Sequence, residues 1–345
     1  MMAAIKKISK ADEIAWDNYV TKHPSGTVFH LTAWKRVVEK TFGHKAHYLT
    51  EKKNGYIKGI CPIFELKSIL FGHAFISIPF AELGGVLSDN ENIEMDLINR
   101  ACRIAESEKA QYLELRNRKE LNGFKTKSLY YNFRKKISSD HDENLKAIPR
   151  KSRAMVKNAI KKGLSSETGH HLLDEFYKIL ALNYHRLGTP IFPKKFFNNF
   201  LTEYGYGKNA DLLVVRTKEG HLSAAVLFFI FKDQMIPYYA GSDFQYRHLG
   251  PNDFMYWELM KLAVEKGCTI FDYGRSKEGT GSFSFKKHWG FEPTPLSYQY
   301  HLVTLDELPN LSPVNPKYRK KIETWQKLPH FMTKILGPVI SRNLA

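Results

Sequence analysis

The sequence predicts a mixed α/β (α+β) fold in which one unit is used twice in tandem and a helical tail follows. Two observations carry this expectation. Apolar runs of strand length alternate with segments whose apolar residues recur at helical spacing. The order strand, strand, strand, helix, strand then occurs in both halves, with corresponding elements about 160 residues apart. The halves share pattern rather than residues.

Taken in order, helices are expected over 12–21 and 32–42, the second with Thr32 as cap and Trp34, Val37 and Val38 on its apolar side. Strands over 46–50 and 56–66 flank Lys53-Asn54-Gly55, a hairpin signal, and a third covers 74–78. Past Gly84-Gly85, a helix over 93–107 leads to a strand at 112–116. The second half has helices over 172–187 and 194–203, then strands over 212–216, 222–231 and 235–241. Asn252 is the expected cap of the next helix, which carries Phe254, Met255, Leu259, Leu262 and Ala263 and stops at Gly267 before a strand at 269–273. Three antiparallel strands and a helix crossing to a fourth form the core order of the GNAT acyltransferase fold, an analogy of pattern. The expected domains are 1–140 and 141–310, both GNAT-like, and a basic amphipathic helical tail over 311–345.

Charge points to an anionic partner. The chain has 52 Lys or Arg against 35 Asp or Glu, a formal charge of +17, which suits nucleic acid, phosphorylated substrates, CoA or a membrane surface. Cys61, Cys102 and Cys268 are far apart inside apolar runs. They read as core residues, and neither a disulfide framework nor a common zinc motif is supported, so no metal is expected. The N-terminus lacks the apolar run of a secretory signal and no stretch reaches membrane-span length, so a cytoplasmic protein is expected.

Residues 125–162 hold twelve Lys or Arg against three acidic residues. Pro149 starts a helix there that puts Arg150, Arg153, Lys157 and Lys161 on one stripe, a candidate phosphate or acceptor site. The plain alternative is a solvated charged face. A second candidate is the loop over 242–251 with the helix that follows it, where free N–H groups and the helix dipole favour anions. Gln245, Arg247, Gly250 and Asn252 are its donor-binding candidates, or else an ordinary strand-loop-helix turn. Tyr239, on the strand feeding this loop, joins them, although a Tyr238-Tyr239 pair is more often core or rim. Catalytic candidates follow the last strand. Asp272 sits at a strand end beside Arg275, as base or as an ion pair pinning the loop. Lys286, Lys287 and His288 polarise a carbonyl, bind phosphate, or form an exposed basic strand edge. With neither a Gly-x-Ser-x-Gly elbow nor a cysteine nucleophile context, direct transfer is more natural than a covalent intermediate.

The tail over 315–345 has Pro316, Pro329 and Pro338 as breaks and mixes six Lys or Arg between Lys317 and Lys334 with Ile322, Trp325, Leu328, Phe331, Ile335 and Leu336. Such a segment lies in a membrane interface, peripheral on the inner face of the cytoplasmic membrane, or packs as a closing helix.

The run PYYAGSDFQYRHLGPNDFMYWELMKLAVEKGCTIFDYGRSKEGTGSFSFKKHWGFEP resembles the second domain of the FemAB family. PRKSRAMVKNAIKKGL and HPSGTVFHLTAWKRVVEKTFGHKAHYL are similar to other segments of that family. The loop RSKEGTGSFSFKKHWGFEP and the tail are similar to its subgroup associated with the XrtA/PEP-CTERM exosortase system. The resemblance implies tandem GNAT-like domains and transfer of amino acids from aminoacyl-tRNA to peptidoglycan precursors. Carried over by motif, the family's lysine is Lys286, within Phe285-Lys286, and Arg186 in NYHRLGTP is similar to an arginine near the precursor. The long helical arm of some members is missing. The subgroup implies an exopolysaccharide or lipid-linked acceptor and an acyl thioester donor. Expectation therefore stands at an acyl- or aminoacyltransferase with no bound cofactor. Its co-substrate is acyl-CoA, an acyl carrier thioester or aminoacyl-tRNA, and its acceptor an anionic envelope or polysaccharide precursor. A non-catalytic tRNA- or nucleic-acid-binding module is the alternative.

Overall fold

The structure, a computed structural model, describes residues 8–68, 72–118, 120–309 and 316–344. Its compact units are 1–129 with 296–310 and 342–345, and 130–295 with 311–341. The chain therefore leaves the first unit at residue 129 rather than 140 and comes back to it at 296.

The first unit begins with α1 (Lys10–Lys22) and α2 (Thr32–Phe42). Ser9 and Asp12 form a reciprocal capping box on α1. Thr32 is not the cap of α2 but its first helical residue; Leu31 precedes the helix. Asp17, on α1, accepts both the N–H and the hydroxyl of Thr32 and so does the capping from a neighbouring helix. β1 (Lys45–Lys53) and β2 (Tyr56–Ser68) form the expected hairpin. It turns at Asn54 and Gly55, with φ of 52° and 79°, the conformation that an Asn-Gly pair supplies. β3 (Gly72–Ile76) extends the sheet antiparallel, and β4 (Leu87–Ser88) adds to β2. α3 (Glu91–Ser107), capped by Asn90, then crosses to β5 (Tyr112–Asn117), parallel to β3. α3 lays Leu97, Ile98, Ala101 and Ala105 against Cys61, Ile63, Phe75 and Leu113.

β6 (Lys125–Lys136) passes into the second unit, where α4 (His141–Ala147), α5 (Arg150–Lys161) and β7 (Ser165–Thr168) follow. Next come α6 (Leu173–Leu187), α7 (Lys194–Tyr204), β8 (Ala210–Arg216), β9 (Leu222–Phe231) and β10 (Gln234–Ser242). α8 (Pro251–Glu265), β11 (Ile270–Lys277) and α9 (Gly281–His288) complete it. The strands of this unit lie in the order β6-β11-β10-β9-β8-β7. α5 and α8 pack with Leu213, Val226, Phe228, Met235 and Phe271 in one core. Aromatic residues of α6 and α7 (Phe176, Phe196, Phe197, Phe200) cluster with Phe229 and Tyr239.

Two readings change here. α8 starts two residues earlier than Asn252 as cap allows, with Gly250 at φ +74° before it and Pro251 as first residue, because proline's fixed φ suits that position. Residues 286–288 end a helix, not a strand edge; Thr280 caps it through the Phe283 N–H.

β12 (Pro293–Leu302) pairs antiparallel with β5 inside the first unit, from Ser297 opposite Asn117 to Leu302 opposite Tyr112. Tyr300 donates to the buried Glu114, which also holds Arg116 at 2.7 Å. Tyr298 donates to the carbonyl of Glu82.

The tail forms α10 (Pro316–Lys327) and α11 (His330–Ser341), with Pro338 inside α11 rather than ending it. Among the described residues, no helix is long and apolar enough to cross a membrane and no cluster suits a metal ion. Burial pushes the thiols of Cys61 and Cys102 up to about 12, so neither is poised as a nucleophile.

Candidate active site

The second unit concentrates its irregular backbone at one place. β10 and β11 are parallel but paired only at Gln234–Ile270 and Met235–Phe271, and both continue well beyond. Each carries a bulge just past that point: β10 between Pro237 and Tyr239, β11 between Asp272 and Arg275. Bulges re-aim side chains and stop pairing, and they recur next to active sites. Here they open the sheet between two neighbouring strands. Pro237 and Gly274 were the available sequence signals, since both residues inside strand patterns mark bulges.

The β11 bulge is fixed by Asp272 and Lys286. Asp272 is buried, and its Oδ1 accepts from Asn132 Nδ2 and from the Gly274 N–H, both at 2.9 Å. Gly274 has φ +67°, a left-handed conformation that suits glycine. Thus Asp272 does pin the loop, but through Asn132 and a backbone amide rather than through Arg275. The Arg275 guanidinium lies over the Tyr130 ring at 4.7 Å. Lys286 reaches back from α9, buried, with Nζ 3.0 Å from the carbonyl oxygens of both Gly274 and Arg275 and 5.4 Å from the Phe133 ring. The result is a cation fixed in an apolar wall at the bulge. Asn132, Tyr130 and Phe133 all come from β6, a strand that the lysine-rich composition of 125–136 conceals.

His288 ends α9 exposed, and its carbonyl accepts from Ser152 on α5. α5 also meets the loop after β10. Lys162 donates to the carbonyl of His248 at 2.8 Å, and a Cβ on Gly250 would lie 3.4 Å from Met155 Cε. The basic helix therefore touches both candidate segments. Of its stripe, Arg150 and Lys157 are exposed, while Arg153 caps α4 by donating to the Lys146 carbonyl at 2.7 Å.

The loop itself is a short 3-10 segment, Phe244–Leu249, capped by Asp243, which accepts the Gln245 N–H at 2.9 Å. Phe244 is exposed and flanked by two guanidinium groups, Arg247 at 4.0 Å and Arg186 at 5.2 Å. Gln245 and Arg247 are exposed, Asn252 is half-buried and Gly250 is buried. Asn252 stands in the first turn of α8 beside Asp253, whose carboxyl is pushed up by burial although the Trp289 indole donates to it. Tyr239 does not join this surface. Its ring is packed among Phe192, Phe196, Phe197 and Phe200, and burial pushes its phenol up. It is a core residue.

Residues 150–287, which carry nearly all of this site, match the family model of the acetyltransferase (GNAT) domain. The chain is 22% identical to the lipid II:glycine glycyltransferase of Staphylococcus epidermidis, over 90% of this chain and 97% of that protein. The crystal structure of FemX aligns at a TM-score of 0.68 and 18% identity, over 91% of this chain and 98% of that one. A tandem GNAT protein from the clavulanic acid biosynthesis pathway aligns at 0.55 and 9% identity, over 86% and 94%. The chain is an acyltransferase built from tandem GNAT-like units. Its sequence is similar to that of the glycyltransferase over most of its length, and its fold to that of FemX. Its alignment with the staphylococcal relative runs over 415 positions against 345 residues here, so the relative carries segments with no counterpart in this chain.

Proposed function

We propose that the protein transfers an aminoacyl group from aminoacyl-tRNA to an amine of a peptidoglycan precursor. The observation that carries this reading is the buried Lys286 ammonium fixed on the β11 bulge. The staphylococcal relative, named for lipid II and glycine, supports that direction. In such a transfer the acceptor amine attacks the ester carbonyl, a C–N bond forms and the C–O bond to the ribose breaks. The amine proton leaves with the released ribose oxygen. Negative charge builds on the carbonyl oxygen in between, and a fixed cation beside an apolar wall stabilises it most effectively. Arg150, Lys157, Arg186 and Arg247 supply exposed charge for tRNA or precursor phosphates. Asp272, with its Oδ1 engaged twice, holds the bulge in shape.

A second reading keeps the same site with a thioester donor and an exopolysaccharide or other envelope acceptor. It is favoured by the GNAT domain match over 150–287 and by the α8 N-terminus, which suits a pyrophosphate. One experiment separates the two. Purified protein is incubated with lipid II and labelled aminoacyl-tRNAs, acetyl-CoA or acyl carrier thioesters, and label entering the precursor is measured. Transfer from charged tRNA is expected. Consumption of a thioester alone, with charged tRNA untouched, overturns the first reading in favour of the second.

A further inference from the structure

α11 is built the opposite way from a helix that only closes a domain. Its small residues Thr333, Gly337 and Ser341 recur every fourth position and are buried. Phe331, Ile335 and Val339, also four apart, are 64%, 68% and 70% exposed. At 3.6 residues per turn, an offset of two residues puts these rows on opposite sides of the helix. The inward row is tight: a Cβ on Gly337 would stand 2.9 Å from the backbone N and O of Ile191. The bulky row is left in water, with exposed Leu336 beside it. A contiguous apolar row of this kind marks a surface that something covers.

We propose that α11 is an interfacial helix that seats the protein on an anionic lipid bilayer. Charge selects this occupant. Residues 316–345 contain seven Lys or Arg and one acidic residue, Glu323, which is held by Arg319. Lys320 and Lys327 on α10 and Lys334 on α11 are exposed. A second copy would bring the same positive rim against itself, whereas anionic headgroups complement it. At 12 residues α11 is too short to span a bilayer and suits the boundary between headgroups and acyl chains. The tail is also tied to the candidate site. Gln326 donates to the Arg186 carbonyl, and the His185 ring bonds to the Leu328 carbonyl. The helix that presents Arg186 is thereby held beside the lipid-facing element, whichever acyl donor the site takes.

The test uses full-length protein and vesicles of phosphatidylcholine with and without phosphatidylglycerol, at physiological salt. The protein is expected to pellet only with the anionic vesicles. The double substitution Ile335→Glu with Val339→Glu, at exposed positions, lowers the bound fraction by about tenfold while the melting curve stays unchanged. Lys320→Glu with Lys334→Glu lowers it as well. Failure of the wild-type protein to pellet overturns the proposal. So does undiminished pelleting of the Ile335→Glu, Val339→Glu variant, which would reduce the binding to generic adhesion by net charge. A wild-type dimer that this variant dissociates, without vesicle binding, gives the face to a second copy instead.

Discussion

Lys286 reaches from α9 to β11 and sets its Nζ 3.0 Å from the carbonyl oxygen of Gly274. A second carbonyl, that of Arg275, lies at the same distance. The lysine thus serves a backbone bulge and a reaction at once, and the two roles separate by measurement. Lys286→Ala is expected to lower turnover by about 10²–10³-fold, the usual effect of removing an oxyanion stabiliser. The buried carbonyl of Gly274 and the half-buried one of Arg275 lose a partner, which costs about 1–3 kcal/mol. Initial rates and urea melts on one sample check both, and a variant that turns over normally removes Lys286 from the mechanism.

Asp272 holds the same bulge from the other side, through Asn132 and Gly274. Asp272→Ala leaves both donors unmet and should destabilise by about 2 kcal/mol. Asp272→Asn keeps an acceptor oxygen and should recover most of that loss together with activity. If Asp272→Asn is as inactive as the alanine variant while fully stable, the carboxylate itself takes part in the chemistry.

His47 gives a pH signature in the first unit. Its ring is 1% exposed with neither nitrogen hydrogen-bonded. Burial, helped by Lys45, holds its pKa below the ordinary 6.5 despite Glu65 at 3.9 Å. The folded value lies below the unfolded one, so protons favour the unfolded chain. The stability of the neutral ring is complete above about pH 6.5 and is lost as pH falls toward the folded value. His44, also lowered by burial, acts in the same direction. Urea midpoints should therefore drop between about pH 7 and pH 5. His47→Phe, which keeps the edge contact with Phe75, should flatten that slope, and an unchanged slope counts against His47.

Gly337→Leu tests how α11 is docked. The added side chain meets the Ile191 backbone, which cannot yield as a flexible side chain would. The tail should detach, shown by rapid proteolytic cleavage near 329, while the rest of the second unit still melts cooperatively.

Much of the fold was legible because its elements are strongly patterned. The strand over 222–231 coincides with β9, and Asn54-Gly55 gives the predicted hairpin. β6 was hidden because its residues serve partly solvated positions and so do not alternate cleanly between apolar and polar. The cap of α2 was misplaced because its partner, Asp17, lies on another helix. Of the candidate site, the lysine and the basic helix were visible as residues, and Pro237 and Gly274 were local signals for the bulges, whereas the approach of Asn132 to Asp272 depends on strand pairing that no local pattern encodes. Tyr239 misled because an aromatic next to a functional loop reads the same whether it faces the loop or the core.

The return of β12 to the first unit bears on synthesis. Glu82 and Glu114 receive the Tyr298 and Tyr300 hydroxyls only after the ribosome has translated past residue 300. Until then the nascent first unit exposes the open edge of β5 and lacks the tyrosine that satisfies one carboxylate oxygen of Glu114. A chain truncated near residue 129 would carry this defect permanently, and in the full chain the two units are expected to mature together rather than one after the other.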